Sequence, residues 1–258
     1  MRSRLRRLTE AAVYAVVTGL VLMTLALLVR EQFDPLVRAD EAAIRQATDF
    51  ARDHPGFRSF LLGWQEATRP VWIYPAASLL CLALWVFKRM KSRALWGFVT
   101  MMVAWVLANL VKEAVRRARP IVADPVSHAP GFSFPSGHAA SSAAAMVTAA
   151  VVVWPLLRPG LQRIAVGAAA IAVMVMTDLD RVFLGVHFPS DVIAGTILGV
   201  GLVLASYAGY TDWAPTHPTT THPESLPGTP GGEAEPPGHR DAAPIGLTGH
   251  HTHKEPEE

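Results

Sequence analysis

Charge is scarce in this chain of 258 residues: Asp, Glu, Lys and Arg supply 17% of it, against 51% for hydrophobic residues. So little charge, together with apolar runs near bilayer length, excludes an ordinary soluble globule and points to a polytopic membrane protein. The formal net charge of +2 is too small to argue for nucleic-acid binding. Cysteine is almost missing. The single Cys81 excludes an intramolecular disulfide, and its place inside an apolar run marks it as a small buried apolar residue. The sequence shows no internal repeat.

What is present is a series of apolar segments. Six are long enough to cross a hydrocarbon core, at roughly 11–29, 71–87, 94–111, 136–155, 163–179 and 189–208. The expected fold is therefore all-α, a six-helix membrane bundle over 1–208. The first run follows Arg2, Arg4, Arg6 and Arg7 and has no clear small-x-small site after it, so it reads as a retained span rather than a cleaved signal. Pro75 lies inside the second span, where neighbouring helices can satisfy the carbonyl it frees. Gly195 and Gly199 form a small-xxx-small pair expected to pack helices within one subunit.

Orientation follows from Lys and Arg in the short loops. The N-terminal arginines, the group Lys88, Arg89, Lys91 and Arg93, and the pair Arg158 and Arg163 fall on one side, the expected cytoplasm. The other side then receives 31–70, 112–135 and 180–188. Within 31–70, Val37, Ile44, Ala47 and Ala51 recur near helical spacing and predict a short surface helix. Lys112, Arg116, Arg117 and Arg119 break the positive-inside pattern, a sign that they serve something other than topology. From about Gly209 the composition turns to Pro, Thr, Gly, His and Glu. A disordered cytoplasmic tail over 209–258 is expected. Its histidines, among them His250, His251 and His253, have nothing to hold them as a metal site.

Three clusters carry chemistry. Lys112 and Arg119 are seven apart and share a face if the third span extends outward to Pro120. Such a pair can bracket an anion, but alone it reads better as interfacial snorkelling anchors. In Pro135-Ser136-Gly137-His138, Pro135 fits a helix start, so the N–H groups of Ser136 and Gly137 would face an anion, with His138 just above. An ordinary capped helix explains that cluster equally well. In the third, Pro189 marks the start of the last span. Asp191 then sits near the third helical position, from which a carboxylate can reach back toward His187. Such a carboxylate fixes the imidazole tautomer and leaves the other nitrogen as a nucleophile. Arg181 adds a bidentate phosphate ligand. What joins the clusters is their shared membrane face, because ionisable groups at membrane depth are costly and usually functional.

The pattern Lys112-x6-Arg119-Pro120, Pro135-Ser136-Gly137-His138 and Arg181-x5-His187-x3-Asp191 resembles the three-part signature of the phosphatidic acid phosphatase type 2 superfamily. The resemblance implies a membrane lipid phosphatase. His187 would be the nucleophile, Asp191 its orienting partner and His138 the general acid and base. Lys112, Arg119, Ser136, Gly137 and Arg181 would bind phosphate. It implies no metal and no cofactor, a phosphorylated membrane lipid as partner, and a site on the extracytoplasmic face. Undecaprenyl diphosphate, phosphatidic acid and phosphatidylglycerol phosphate are the implied substrates. A lipid-to-acceptor phosphotransferase, or a transporter or structural protein of the same fold, are the alternatives. One departure stands out: Asp180 precedes Arg181 where the family usually has Ser, and an acidic neighbour would either tether that arginine or weaken its field on the phosphate.

Overall fold

The computed structural model describes residues 2–121 and 130–213. The expected tail beyond 213 and its histidines lie outside the described residues. Among the described residues all regular structure is helical: α1 (Arg2–Arg30), α2 (Asp34–Asp53), α3 (Pro55–Ala67), α4 (Pro70–Lys88), α5 (Lys91–Val115), α6 (Gly137–Val153), α7 (Leu161–Phe183) and α8 (Pro189–Trp213). Helix α8 continues past the expected boundary at 208.

Helix α6 is the axis of the bundle. Its buried face is almost entirely small: Ala139, Ala140, Ala143, Ala144, Ala145, Ser141 and Ser142. Small side chains let neighbouring backbones approach, and α4, α5, α7 and α8 all pack on it. The approach is closest along α8. A Cβ on Gly195 would lie 2.5 Å from the Ser136 carbonyl oxygen, and one on Gly199 2.7 Å from that of Ala140. The glycine pair therefore packs helices inside the subunit, as expected. Cys81 is buried against α5 and α6 residues, also as expected.

The helices alternate in direction, and named contacts tie their ends. Arg93, at the start of α5, donates to the Val151 carbonyl near the end of α6. Ser92 pairs with Tyr210 near the end of α8. At the other end Lys112 of α5 meets the entrance to α6, and the Ser136 N–H meets Asp191 in the first turn of α8. The basic loops thus gather at one end of the bundle and the three clusters at the other.

Five described helices are long and apolar enough to cross a membrane: α1, α4, α5, the α6 segment and α8. Helix α4 is continuous through Pro75. The expected fifth span lies in α7, which is long enough but carries Asp178, Asp180 and Arg181 near its C-terminal end. Its outward side chains Ile164 and Ile171 are as exposed as Leu20, Leu79 and Leu110 on the other helices. Such a belt of exposed aliphatics suits hydrocarbon rather than water.

The 31–70 segment differs from expectation. It forms two helices rather than one short one. The apolar stripe of α2 (Ile44, Ala47, Ala51) faces inward as its spacing predicts. Helix α3 follows through Pro55 and buries Leu61 against Leu184 and Val186. Both helices pack on the end of α7, and α2 also touches α8.

Candidate active site

The site is built from four helix ends and the segment after α5. Helix α5 stops at Val115 because Arg116 takes a left-handed conformation (φ 53°), its N–H closing on the Lys112 carbonyl at 3.0 Å. Lys112 and Arg119 therefore do not share one helix face, which corrects the sequence expectation. The break turns Arg117 and Arg119 inward instead. Lys112 Nζ donates to the carbonyls of Phe132 (2.8 Å) and Pro135 (3.0 Å), pinning the entrance of α6.

Ser136 is the N-cap of α6, its hydroxyl accepting from the Ala139 N–H at 3.4 Å. The helix thus begins at Gly137, not at Pro135. The Ser136 N–H donates to the Asp191 carbonyl at 2.9 Å, so it is not free for an anion, a second correction. The reason is the packing of the α8 entrance directly on the cap. Gly137 and His138 form the first turn of α6, where free N–H groups and the helix dipole favour an anion. His138 Nε2 is buried without a hydrogen-bond partner. It lies within electrostatic range of Arg181, His187, Arg69 and Arg119.

Helix α8 begins at Pro189, as the sequence predicts, and Asp191 occupies its third position. One carboxylate oxygen, Oδ2, accepts the Phe188 N–H at 3.0 Å and faces His187 Nδ1 at 3.6 Å, an ion-pair separation longer than a hydrogen bond. On the other ring nitrogen, Arg119 Nη1 lies 3.1 Å from His187 Nε2. A guanidinium only donates, so Nε2 must carry the lone pair and Nδ1 the proton. That tautomer turns N–H toward Asp191 and leaves the lone pair on Nε2. Burial drives the His187 imidazole down to about 4, with Asp191 opposing the drop and Arg119 and Lys112 adding to it. It is neutral at neutral pH.

Arg119 is held by carbonyls of Gly131 (3.0 Å), Pro130 (3.0 Å) and Val186 (2.8 Å). Arg181, at the end of α7, is buried and gives both Nε (2.9 Å) and Nη2 to Asp180. Asp180 does tether it, as its place in the sequence predicts. The eight expected residues thus converge on one end of the bundle. Two residues outside the three clusters lie behind them: Arg117, one of the cations that break the positive-inside pattern, and Asp40, which the sequence reading missed. Arg117 donates to Asp191 Oδ1 at 2.6 Å, and Asp40 of α2 binds Arg117 at 2.8 Å. A sequence signal for Asp40 existed: it continues the apolar stripe of α2 toward its N-terminus, an acid where an aliphatic belongs. A cavity of about 440 Å³ opens beside the site, lined in part by Arg119, Phe188, Glu41 and Arg45.

Residues 93–214 match the family model of the PAP2 superfamily. The chain is 32% identical over 152 residues to the lipid A 1-phosphatase of Rhizobium etli, covering 48% of this chain and 61% of that one. It is 38% identical over 97 residues to phosphatidylglycerophosphatase B of Bacillus subtilis, covering 36% and 46%. The chain thus spans about half to three-fifths of the length of these curated relatives. The crystal structure of a transmembrane PAP2-type phosphatidylglycerolphosphate phosphatase from Bacillus subtilis superimposes with a TM-score of 0.69 at 25% identity, covering 78% of this chain and 96% of that one.

Proposed function

We propose that this chain is an integral-membrane lipid phosphate or diphosphate phosphatase that works through a phosphohistidine. The observation that carries the reading is the Arg119–His187–Asp191 alignment, which leaves the His187 lone pair on Nε2 beside a cation and opposite a carboxylate. In the first step Nε2 forms a bond to phosphorus as the bond to the leaving oxygen breaks. His138 takes up a proton once the phosphate's negative charge offsets the surrounding cations, and gives that proton to the leaving oxygen. Asp191 balances the positive charge that His187 acquires. In the second step His138 takes a proton from water, the water oxygen bonds to phosphorus, and the N–P bond breaks to release inorganic phosphate. Lys112, Arg119, Arg181, the Ser136 hydroxyl and the Gly137 N–H neutralise the phosphoryl oxygens. The scheme assigns every charge to a side chain and calls for no metal.

The basic loops at the opposite end of the bundle support a cytoplasmic placement for that end and for both termini. The site then faces the extracytoplasmic surface, at the depth of a lipid phosphate. That placement favours undecaprenyl diphosphate, with phosphatidic acid and phosphatidylglycerol phosphate as the other substrates. The relatives' names support lipid phosphates as a class.

A panel of these three lipids on purified protein in detergent with EDTA is the test. We expect phosphate release without acceptor and none from His187→Ala. Full activity in that variant would sink the mechanism, and release only with an added alcohol would show the phosphotransferase.

A further inference from the structure

Asp40 lies on the inward stripe of α2 with 2% of its surface exposed. A carboxylate there is costly unless fully partnered, and each oxygen has partners. Oδ1 accepts the Ser190 N–H at 3.0 Å. Oδ2 accepts Arg117 Nη2 at 2.8 Å and the Ser190 hydroxyl. The Arg117 side chain is 7% exposed. Its other nitrogen, Nη1, reaches Ser190 Oγ at 2.7 Å and Asp191 Oδ1 at 2.6 Å, and the guanidinium stacks 4.1 Å from the Phe188 ring centroid. Asp191 turns its remaining oxygen to the Phe188 N–H and His187. A continuous array therefore runs Asp40, Arg117, Asp191, His187.

Charge counting shows what the array does. Arg117 with Asp191 alone would be a closed neutral pair, leaving little to attract a cation on His187. Asp40 shares the guanidinium, so two carboxylates face one cation and a negative charge is left over. His187 gains one positive charge when Nε2 bonds to phosphorus. We propose that Asp40 and Arg117 are positioning residues of the reaction, with α2 supplying the excess negative charge that Asp191 presents to the phosphorylated His187. Asp40 lies outside the segment that matches the family, 93–214. The inference rests on the function proposed above.

The other charged or titratable groups facing His187 are Lys112 of α5, Arg119, His138 of α6 and Arg181 of α7. All stay in place in the test, which uses substitutions of opposite sign. Asp40→Asn keeps an acceptor for the Ser190 N–H, so the α2 contact survives. It removes negative charge and should move the titration of His187 to lower pH. Arg117→Gln removes positive charge and should move it to higher pH. The shift expected for one charge at this range is roughly half a unit to one unit. The readout is the ¹⁵N-histidine NMR titration of the full-length protein, assigned with His187→Asn. On phosphatidic acid, both variants should lose roughly 10- to 100-fold in kcat, the scale on which outer partners of a working imidazole act. KM should stay within about twofold, and Asp40→Glu and Arg117→Lys should restore part of kcat. Shifts in the same direction, no shifts, or losses confined to thermal stability with kcat intact would overturn the proposal. If the wild-type protein released phosphate from no lipid, the functional reading would fail separately. The titration would then decide the array, opposite shifts supporting it and equal ones overturning it.

Discussion

Arg119 Nη1 sits 3.1 Å from His187 Nε2, on the nitrogen opposite Asp191. In the proposed mechanism the arginine stands where a phosphoryl oxygen would meet a cation as Nε2 meets phosphorus. Lysine cannot reproduce the fork that also holds the carbonyls of Gly131, Pro130 and Val186. We expect Arg119→Lys to lower kcat/KM on the order of a hundredfold to a thousandfold, the range for losing one preorganised donor. Steady-state kinetics on a short-chain phosphatidic acid checks this.

Acid should silence the enzyme late. His187 titrates at about 4, below the ordinary imidazole value of 6.5. The acid limb of kcat/KM that belongs to the nucleophile should therefore lie near 4, and a limb near 6.5 would mean an exposed imidazole. The stability linkage has the same sign. Between the two values the unfolded chain binds the proton and the folded one does not. The contribution of His187 is complete above about 6.5 and is lost as pH falls toward 4. Thermal melts in detergent across that window should show Tm rising with pH.

Asp180 holds Arg181 by two donors from one side chain. Asp180→Ser frees the guanidinium for phosphate without touching the nucleophile. The change in kcat/KM should stay under about tenfold, equivalent to 1.4 kcal/mol. The effect should appear mainly in KM, which should fall. A hundredfold loss would show that the pair is needed intact.

Gly199→Ala should damage the site from a distance. The new Cβ would press on the Ala140 backbone, 2.7 Å from its oxygen, and backbone cannot step aside. Helix α8 carries Asp191, which faces His187, and α6 carries His138, so parting them separates the two histidines proposed as catalytic. Overpacking of this kind costs about 1–3 kcal/mol. A lower Tm together with a lower kcat is expected. Alanine at Gly167, where a Cβ would meet nothing within 4 Å, is the control.

Several elements are legible in the sequence itself. Pro189 announced the start of α8 because its ring suits a first helical position, and Asp191 followed at the capping position. The basic loops sorted the helix ends. Other features depended on conformations that residue type does not dictate. Arg116 is a non-glycine residue in the left-handed region, so nothing in its identity announced the end of α5. The Ser136 N–H looked free because its partner, the Asp191 carbonyl, is distant in sequence. The 31–70 segment carried a helical stripe, but its division at Pro55 and the depth of Asp40 came from docking on α7 and α8.

By itself, then, the chain determined that it is an apolar helical bundle with Lys112, Arg119, His138, Arg181, His187 and Asp191 at the ends of its segments. Those facts rest on spacing, hydropathy and helix termini, which are local properties. Tertiary structure alone decided which ring nitrogen of His187 faces Asp191, what occupies the Ser136 N–H, and that α2 reaches into the site through Asp40 and Arg117. Each of these is a pairing of buried polar groups from distant segments. Such pairings are set by the requirement that every buried charge find a partner, and that requirement can be met only once the helices have packed.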